Sequence, residues 1–394
     1  MSKKNYKYVI VAVFFLALFV GNYFQYQLSP LAARLMSDLN ISPVQYSSIF
    51  SAPMLSAIFF GIIAGILTDK FGVKKVTTIG LIIMAVGLWI RPFAASYLPM
   101  YIAMILAGFG ITFLNVNMAK ILGGWFSPAK IGPMMGITMI GCTLGMTLGI
   151  GTTALLPSTE FAFILAAVME VVILLMWILF MKEGRENSAQ EIPESVSVRE
   201  SLTACIRSKS VWLVGGCLMC IMACNVALTS FLPATLMSRG FTETAAGSLT
   251  MPLTIGNLAG SLLGTILITK IGRMKPCLIL LAILCGICSA FAWQLGTAGI
   301  IAALGLTGFA FGTLVPTFMT FPSLLPEIGP KYAGNAGGFI ATLELIGAVV
   351  IPTYIITPVS SGNYTTYFFL AGGVMILMAV IALFLPELLK KSGN

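Results

Sequence analysis

Gly65-Ile66-Leu67-Thr68-Asp69-Lys70-Phe71-Gly72-Val73-Lys74-Lys75 is a short basic turn, bounded by glycines, between two long apolar runs. Thr265-Ile266-Leu267-Ile268-Thr269-Lys270-Ile271-Gly272-Arg273-Met274-Lys275 repeats it about 200 residues later, with Gly272 falling on Gly72. A basic hairpin at the same place in each half predicts a duplicated membrane protein.

Composition agrees. Of 394 residues, 58% are hydrophobic and only 9% charged, and the mean hydropathy is +0.99. Soluble domains carry about 25% charge, so lipid must cover much of this chain. Its 40 glycines suit close helix packing in a bilayer. Histidine is absent, which removes imidazole bases and His-ligated metals. The eight cysteines form no spaced extracellular framework. Cys217-x-x-Cys220 and Cys285-x-x-Cys288 lie in apolar runs without partner ligands and read as packing residues.

Twelve apolar runs are each long enough to cross a bilayer core of about 30 Å. They are 8–28, 44–68, 76–96, 99–121, 134–157 and 161–181, then 210–232, 245–268, 276–295, 298–321, 336–358 and 364–386. The expected organisation is all-α: a six-helix bundle over 1–182, a polar linker over 183–209 and a second bundle over 210–394. A short amphipathic helix is expected near Val198–Ile206. With the N-terminus in the cytoplasm, all of the 22 Lys and Arg except Arg34, Arg91 and Arg239 fall on the cytoplasmic side. The charge of +9 is therefore a topology signal and not a nucleic-acid footprint. Gly108-Phe109 matches Gly308-Phe309, Gly132 matches Gly334 and Gly145 matches Gly347, all at nearly one offset.

On these residues the chain resembles the major facilitator superfamily over essentially its whole length. Gly65, Leu67, Asp69, Lys70, Gly72, Lys74 and Lys75 match that family's G-x-L-x-D-(R/K)-x-G-(R/K)-(R/K) loop, with Val73 as a departure. Gly65 is expected to permit close helix approach and Gly72 the tight turn. Asp69 is placed to cap a helix end or pair with basic groups across the half-interface. The resemblance implies a conformational latch and twelve helices in two six-helix repeats, with spans one, four, seven and ten lining a central cavity. Thr269 replaces the aspartate in the second copy, which implies a weaker latch or a topology anchor. Gly87-Leu88-Trp89-Ile90-Arg91 and Gly110-Ile111-Thr112-Phe113-Leu114-Asn115-Val116 also resemble the cyanate and nitroimidazole permease branch. Asn22-Tyr23-Phe24-Gln25 departs from that branch's Asn-x-Arg pattern, and Trp125-Phe126-Ser127-Pro128 resembles a loop of organic-anion members.

Asn22, Gln25, Tyr26 and Ser29 share one helical face of span one. With Asn115, Asn225, Thr229, Thr313 and Thr317 they are candidate ligands for a small polar solute, and interhelical hydrogen bonding is the alternative. Tyr23, Phe24 and Tyr26 would shape the walls. Arg91 either snorkels to the outer surface or offers a fixed charge to an anion. Glu344, roughly 12 Å inside span eleven, is a candidate for proton coupling or an ion pair, with Lys120 as a partner across the cytoplasmic gate or an interfacial lysine. Glu170 in span six reads as a helix–helix tie or a neutral acid.

These readings predict a secondary active transporter. Its substrate would be a small organic or inorganic anion, moved across the cytoplasmic membrane by alternating access and coupled to H⁺ or to anion exchange. A proton-coupled exporter of amphipathic drugs is the alternative. No phosphate loop, H-E-x-x-H or G-x-S-x-G motif occurs, which speaks against ATP coupling and an embedded enzyme. No cofactor or metal is expected. The expected partners are the solute, protons or a counter-anion, and the lipid bilayer, with no nucleic acid; the expected state is a monomer.

Overall fold

The computed structural model describes residues 3–182, 198–325 and 327–387. Most of the expected linker and the pair Lys390 and Lys391 lie outside the described residues, as do the side chains of Lys3, Lys4, Thr269 and Lys331. Among the described residues every regular element is helical, and twelve helices are long and apolar enough to cross a membrane. They are α1 (Lys3–Tyr26), α2 (Pro43–Phe71), α3 (Val73–Ile90), α4 (Tyr97–Gly123), α5 (Pro128–Thr152) and α6 (Thr159–Phe180), then α7 (Lys209–Ser238), α8 (Glu243–Ile271), α9 (Met274–Phe291), α10 (Thr297–Leu324), α11 (Gly329–Val350) and α12 (Tyr364–Leu383). A further helix, Val198–Arg207, falls where the amphipathic segment was expected.

Local chemistry sets the ends. Ser42 and Gln45 form a capping box ahead of Pro43, so α2 begins with its first N–H groups satisfied. Ser158 and Asn363 cap α6 and α12 by accepting from backbone N–H groups three residues on. α1 stops at Tyr26, ahead of Pro30, which removes a donor and disfavours helical φ/ψ at Ser29. Ser29 is therefore in the turn after α1 and does not extend the expected polar face. α2 and α8 run past their apolar windows into the basic turns, because the hydrogen-bond ladder continues beyond the hydrocarbon. Gly72 then turns the chain at φ +90° and Gly272 at φ +71°, conformations that side-chain-bearing residues rarely adopt.

The chain divides into two compact units, residues 1–191 with 240–248, and residues 192–239 with 249–394. In the first, α1 lies along α5, α2 and α3 pack on α4, and α6 packs on α3 and α1. In the second, α7 lies along α11 and α12, α9 packs on α12, and α10 sits beside α9 and α11.

The matched glycines make matched contacts inside their own units. A Cβ at Gly108 would lie 2.5 Å from the Pro53 carbonyl oxygen, and one at Gly308 would lie 1.9 Å from that of Leu253. At Gly145 it would lie 2.2 Å from the Phe19 oxygen, and at Gly347 2.4 Å from the Met219 oxygen. The repeat read from the sequence is thus a repeat of backbone contacts. Gly65 differs from expectation: a Cβ there would meet only Val116, at an ordinary 3.8 Å, so no close helix approach requires glycine. Gly132 likewise faces open space.

Candidate functional site

The basic turn of the first unit is fixed by its own lysines. Gly72 N–H donates to the Thr68 carbonyl at 3.0 Å and closes α2. Lys120, in the last turn of α4, donates to Asp69 Oδ1 at 2.6 Å. Both side chains are exposed. Lys120 is thus paired with Asp69 inside its own unit. Lys74 Nζ donates to the Ile178 carbonyl of α6 at 2.9 Å, while Lys70 and Lys75 flank the Phe71 ring.

Arg91 opens a 3₁₀ turn, Arg91–Phe93, after α3. A snorkelling arginine would be wet, but this one is 1% exposed. Its Cζ lies 4.1 Å from the Phe163 ring centroid and 5.7 Å from that of Phe24. None of its three guanidinium nitrogens has a hydrogen-bond partner among the described residues. The aromatic faces attract the cation, but they leave its N–H donors unmatched. Phe24, expected on a cavity wall, is fully buried beneath this arginine. Gln27, which the pattern of polar faces missed, donates to the Ala162 carbonyl at 2.9 Å and leaves Oε1 without a partner. Its only sequence signal was an amide next to the end of an apolar run.

The other candidates of this unit are tied to helix backbones. Gln25 donates to the Phe50 carbonyl at 3.1 Å, Asn22 to the Leu18 carbonyl at 2.9 Å, and Tyr26 packs edge-on against Phe50. Asn115 is exposed, whereas Asn117 is buried and donates to Thr77 Oγ1 at 3.1 Å. Glu170 is fully buried and neither carboxyl oxygen has a partner among the described residues, so the expected helix–helix tie is absent.

In the second unit Glu344 of α11 is 7% exposed and has no ion-pair partner among the described residues. The candidate hydroxyls of this unit bond to helix backbones. Thr229 donates to the Asn225 carbonyl at 2.8 Å, Thr313 to that of Phe309 at 2.8 Å, and Thr317 to that of Thr313 at 2.6 Å. Such back-bonding satisfies a hydroxyl within its own helix, and Thr313 also donates across to the Gly260 carbonyl of α8 at 3.3 Å. Asn225 is buried beside them. Three ionisable groups are thus buried without a counter-ion among the described residues, Arg91 and Glu170 in the first unit and Glu344 in the second.

Twelve apolar helices in two six-helix units, joined by matched basic turns and carrying isolated charges within the spans, define a polytopic membrane transporter. The Major Facilitator Superfamily model matches residues 10–352, and the chain belongs to that family; it is a secondary transporter with the major facilitator fold. It is 23% identical to the hexuronate transporter of Bacillus subtilis, over 98% of this chain and 97% of that one. It is 25% identical to a probable sulfoacetate transporter of Cupriavidus necator, over 97% and 94% of the two chains. The 2-nitroimidazole transporter of Escherichia coli is 22% identical over 90% and 89%. Among solved structures, a nucleoside transporter superposes with a TM-score of 0.79 at 14% identity, covering 96% of this chain and 99% of that one.

Proposed function

We propose that this transporter moves a small organic anion across the cytoplasmic membrane by alternating access, coupled to protons, with both termini in the cytoplasm. The observation that carries the reading is Arg91. A fully buried guanidinium whose nitrogens lack partners is costly, and an anion is the group that would satisfy it. Two similar transporters are named for hexuronate and sulfoacetate, both anions. The placement of lysine and arginine supports the orientation. Glu344 is the proposed proton carrier, since an acid buried without a counter-cation gains most from accepting a proton.

The test is accumulation in proteoliposomes under an imposed pH gradient, with carboxylates and sulfonates set against amphipathic cations. Gradient-driven uptake of an anion is expected; movement of amphipathic cations alone would reject the proposal in favour of drug export. Glu344→Gln should reduce pH-driven accumulation to passive equilibration and preserve anion counterflow. Unchanged pH dependence in that variant would remove Glu344 from the mechanism.

Asp69 is the proposed latch. Its ion pair with Lys120 is exposed, so Asp69→Asn should change stability by less than about 1 kcal/mol. Transport should fall several-fold while equilibrium substrate binding stays intact. Lost binding with normal conformational exchange would overturn the latch.

A further inference from the structure

The two basic turns are built alike but closed differently. In the second unit Lys275 Nζ donates to the Leu383 carbonyl at the end of α12. Four residues on, the Glu387 carboxylate accepts from the Met274 and Lys275 backbone N–H groups at 2.9 and 3.0 Å. That carboxylate answers both the positive end of α9 and the cationic turn. In the first unit the bond of the same kind comes from the lysine one position earlier in the repeat: Lys74 Nζ donates to the Ile178 carbonyl of α6. Four residues on from Ile178 stands Lys182, a cation where the second unit has its carboxylate. No side chain caps α3 at Gly72.

The result is a groove of ≈ 730 Å³ between α3 and α6, lined by Lys74, Lys75 and Lys182 together with Ile79 and Ile178. Among the described residues that line it there is no carboxylate. The nearest acid of the turn, Asp69, is already paired with Lys120. Above the lysines the groove opens onto the apolar outer faces of the same two helices, where Ile82 and Val86 of α3 and Val172 and Leu175 of α6 are exposed. A cationic mouth continuous with an apolar face on membrane helices matches one kind of molecule, an anionic headgroup with acyl chains attached.

We propose that this groove binds an anionic phospholipid, its phosphodiester between Lys75 and Lys182 and its chains along α3 and α6. The lipid supplies in the first unit the negative charge that Glu387 supplies in the second. The site is independent of which solute is carried.

The experiment titrates purified protein in detergent with phosphatidylglycerol, phosphatidylcholine or glycerol 1-phosphate and reads the melting temperature. Native mass spectrometry counts the bound lipid. Phosphatidylglycerol should raise the melting temperature at concentrations where phosphatidylcholine does not. At about one lysine's worth of surface attraction, Lys182→Gln should raise the half-saturating concentration about fivefold, and Lys182→Glu about 25-fold. The Lys182 side chain is exposed, its Nζ lies 4.8 Å from the Tyr6 ring centroid, and Trp125 bonds only its backbone carbonyl, so Lys182→Gln gives up the ring contact and keeps the backbone one. Equal effects of the two lipids, or unchanged phosphatidylglycerol affinity in both variants, would overturn the proposal. So would a full shift from glycerol 1-phosphate alone, which would mark a site for soluble phosphate.

Discussion

Arg91→Met should give a protein that melts at a higher temperature than its parent and no longer accumulates its anion. The two effects have one cause. The guanidinium is 1% exposed and its nitrogens have no hydrogen-bond partners among the described residues. Its contacts with Phe163 and Phe24 contribute on the order of 2 kcal/mol for a desolvated cation. The penalty for keeping an unpaired charge out of water is several kcal/mol, so desolvation wins. Methionine is flexible, fills a similar channel and makes favourable sulfur contacts with the same rings. Replacing even a buried ion pair by apolar side chains is often neutral or stabilising by about 1–4 kcal/mol, and Arg91 has no ion-pair partner among the described residues to lose. Removing this charge should weaken anion binding by about 30-fold or more. Scanning fluorimetry and uptake in proteoliposomes measure the two halves of this result. A variant that melts lower yet transports anion normally would make Arg91 a structural brace and remove the main support for an anionic substrate.

The second large effect is expected at the crossing of α8 and α10. A Cβ at Gly312 would lie 1.9 Å from the Asn257 carbonyl oxygen and 2.8 Å from the Ser261 nitrogen, and these are backbone atoms that cannot swing aside. Gly312→Val must therefore push the helices apart. Overpacking of this kind costs about 1–3 kcal/mol for an added methylene in a core, and valine adds more against rigid backbone. The control is Gly373→Ala in α12, where a Cβ meets nothing within 4 Å. Glycine to alanine in a helix is worth up to about 1 kcal/mol in the other direction, so this variant should be as stable as the parent or slightly more so. Melting temperature and the monodisperse fraction on size exclusion distinguish the two. Equal behaviour of Gly312→Val and Gly373→Ala would mean that α8 and α10 are not pressed backbone to backbone.

Which features were legible in the sequence follows from what each depends on. Membrane spans depend on solvent: a run of twenty apolar residues has one low-energy environment, whatever its neighbours. The basic turns follow the same logic, and so does the turn at Gly72, whose conformation is local. Matched glycines were legible because Gly108 with Gly308 and Gly145 with Gly347 each meet a backbone carbonyl of their own unit. Gly65 was misread because a motif glycine has no signature in the chain that distinguishes a tight crossing from a loose one.

Charge partners were the least legible. Lys120 lies 51 residues from Asp69, and only the crossing of α2 with α4 decides that they meet. Arg91 could have snorkelled; the turn at Pro92 and the rings of Phe24 and Phe163 place it inside. The hydroxyls of Thr229, Thr313 and Thr317 have the composition of a ligand site, but their rotamers direct them to helix carbonyls.

The sequence by itself determined that this chain is a duplicated twelve-helix membrane transporter. Hydropathy, basic turns and glycine spacing act locally or through the solvent, and each is written in consecutive residues. Only the tertiary structure decided which buried charges have partners. A counter-ion must come within about 4 Å, and that distance is set by helices far apart in the chain.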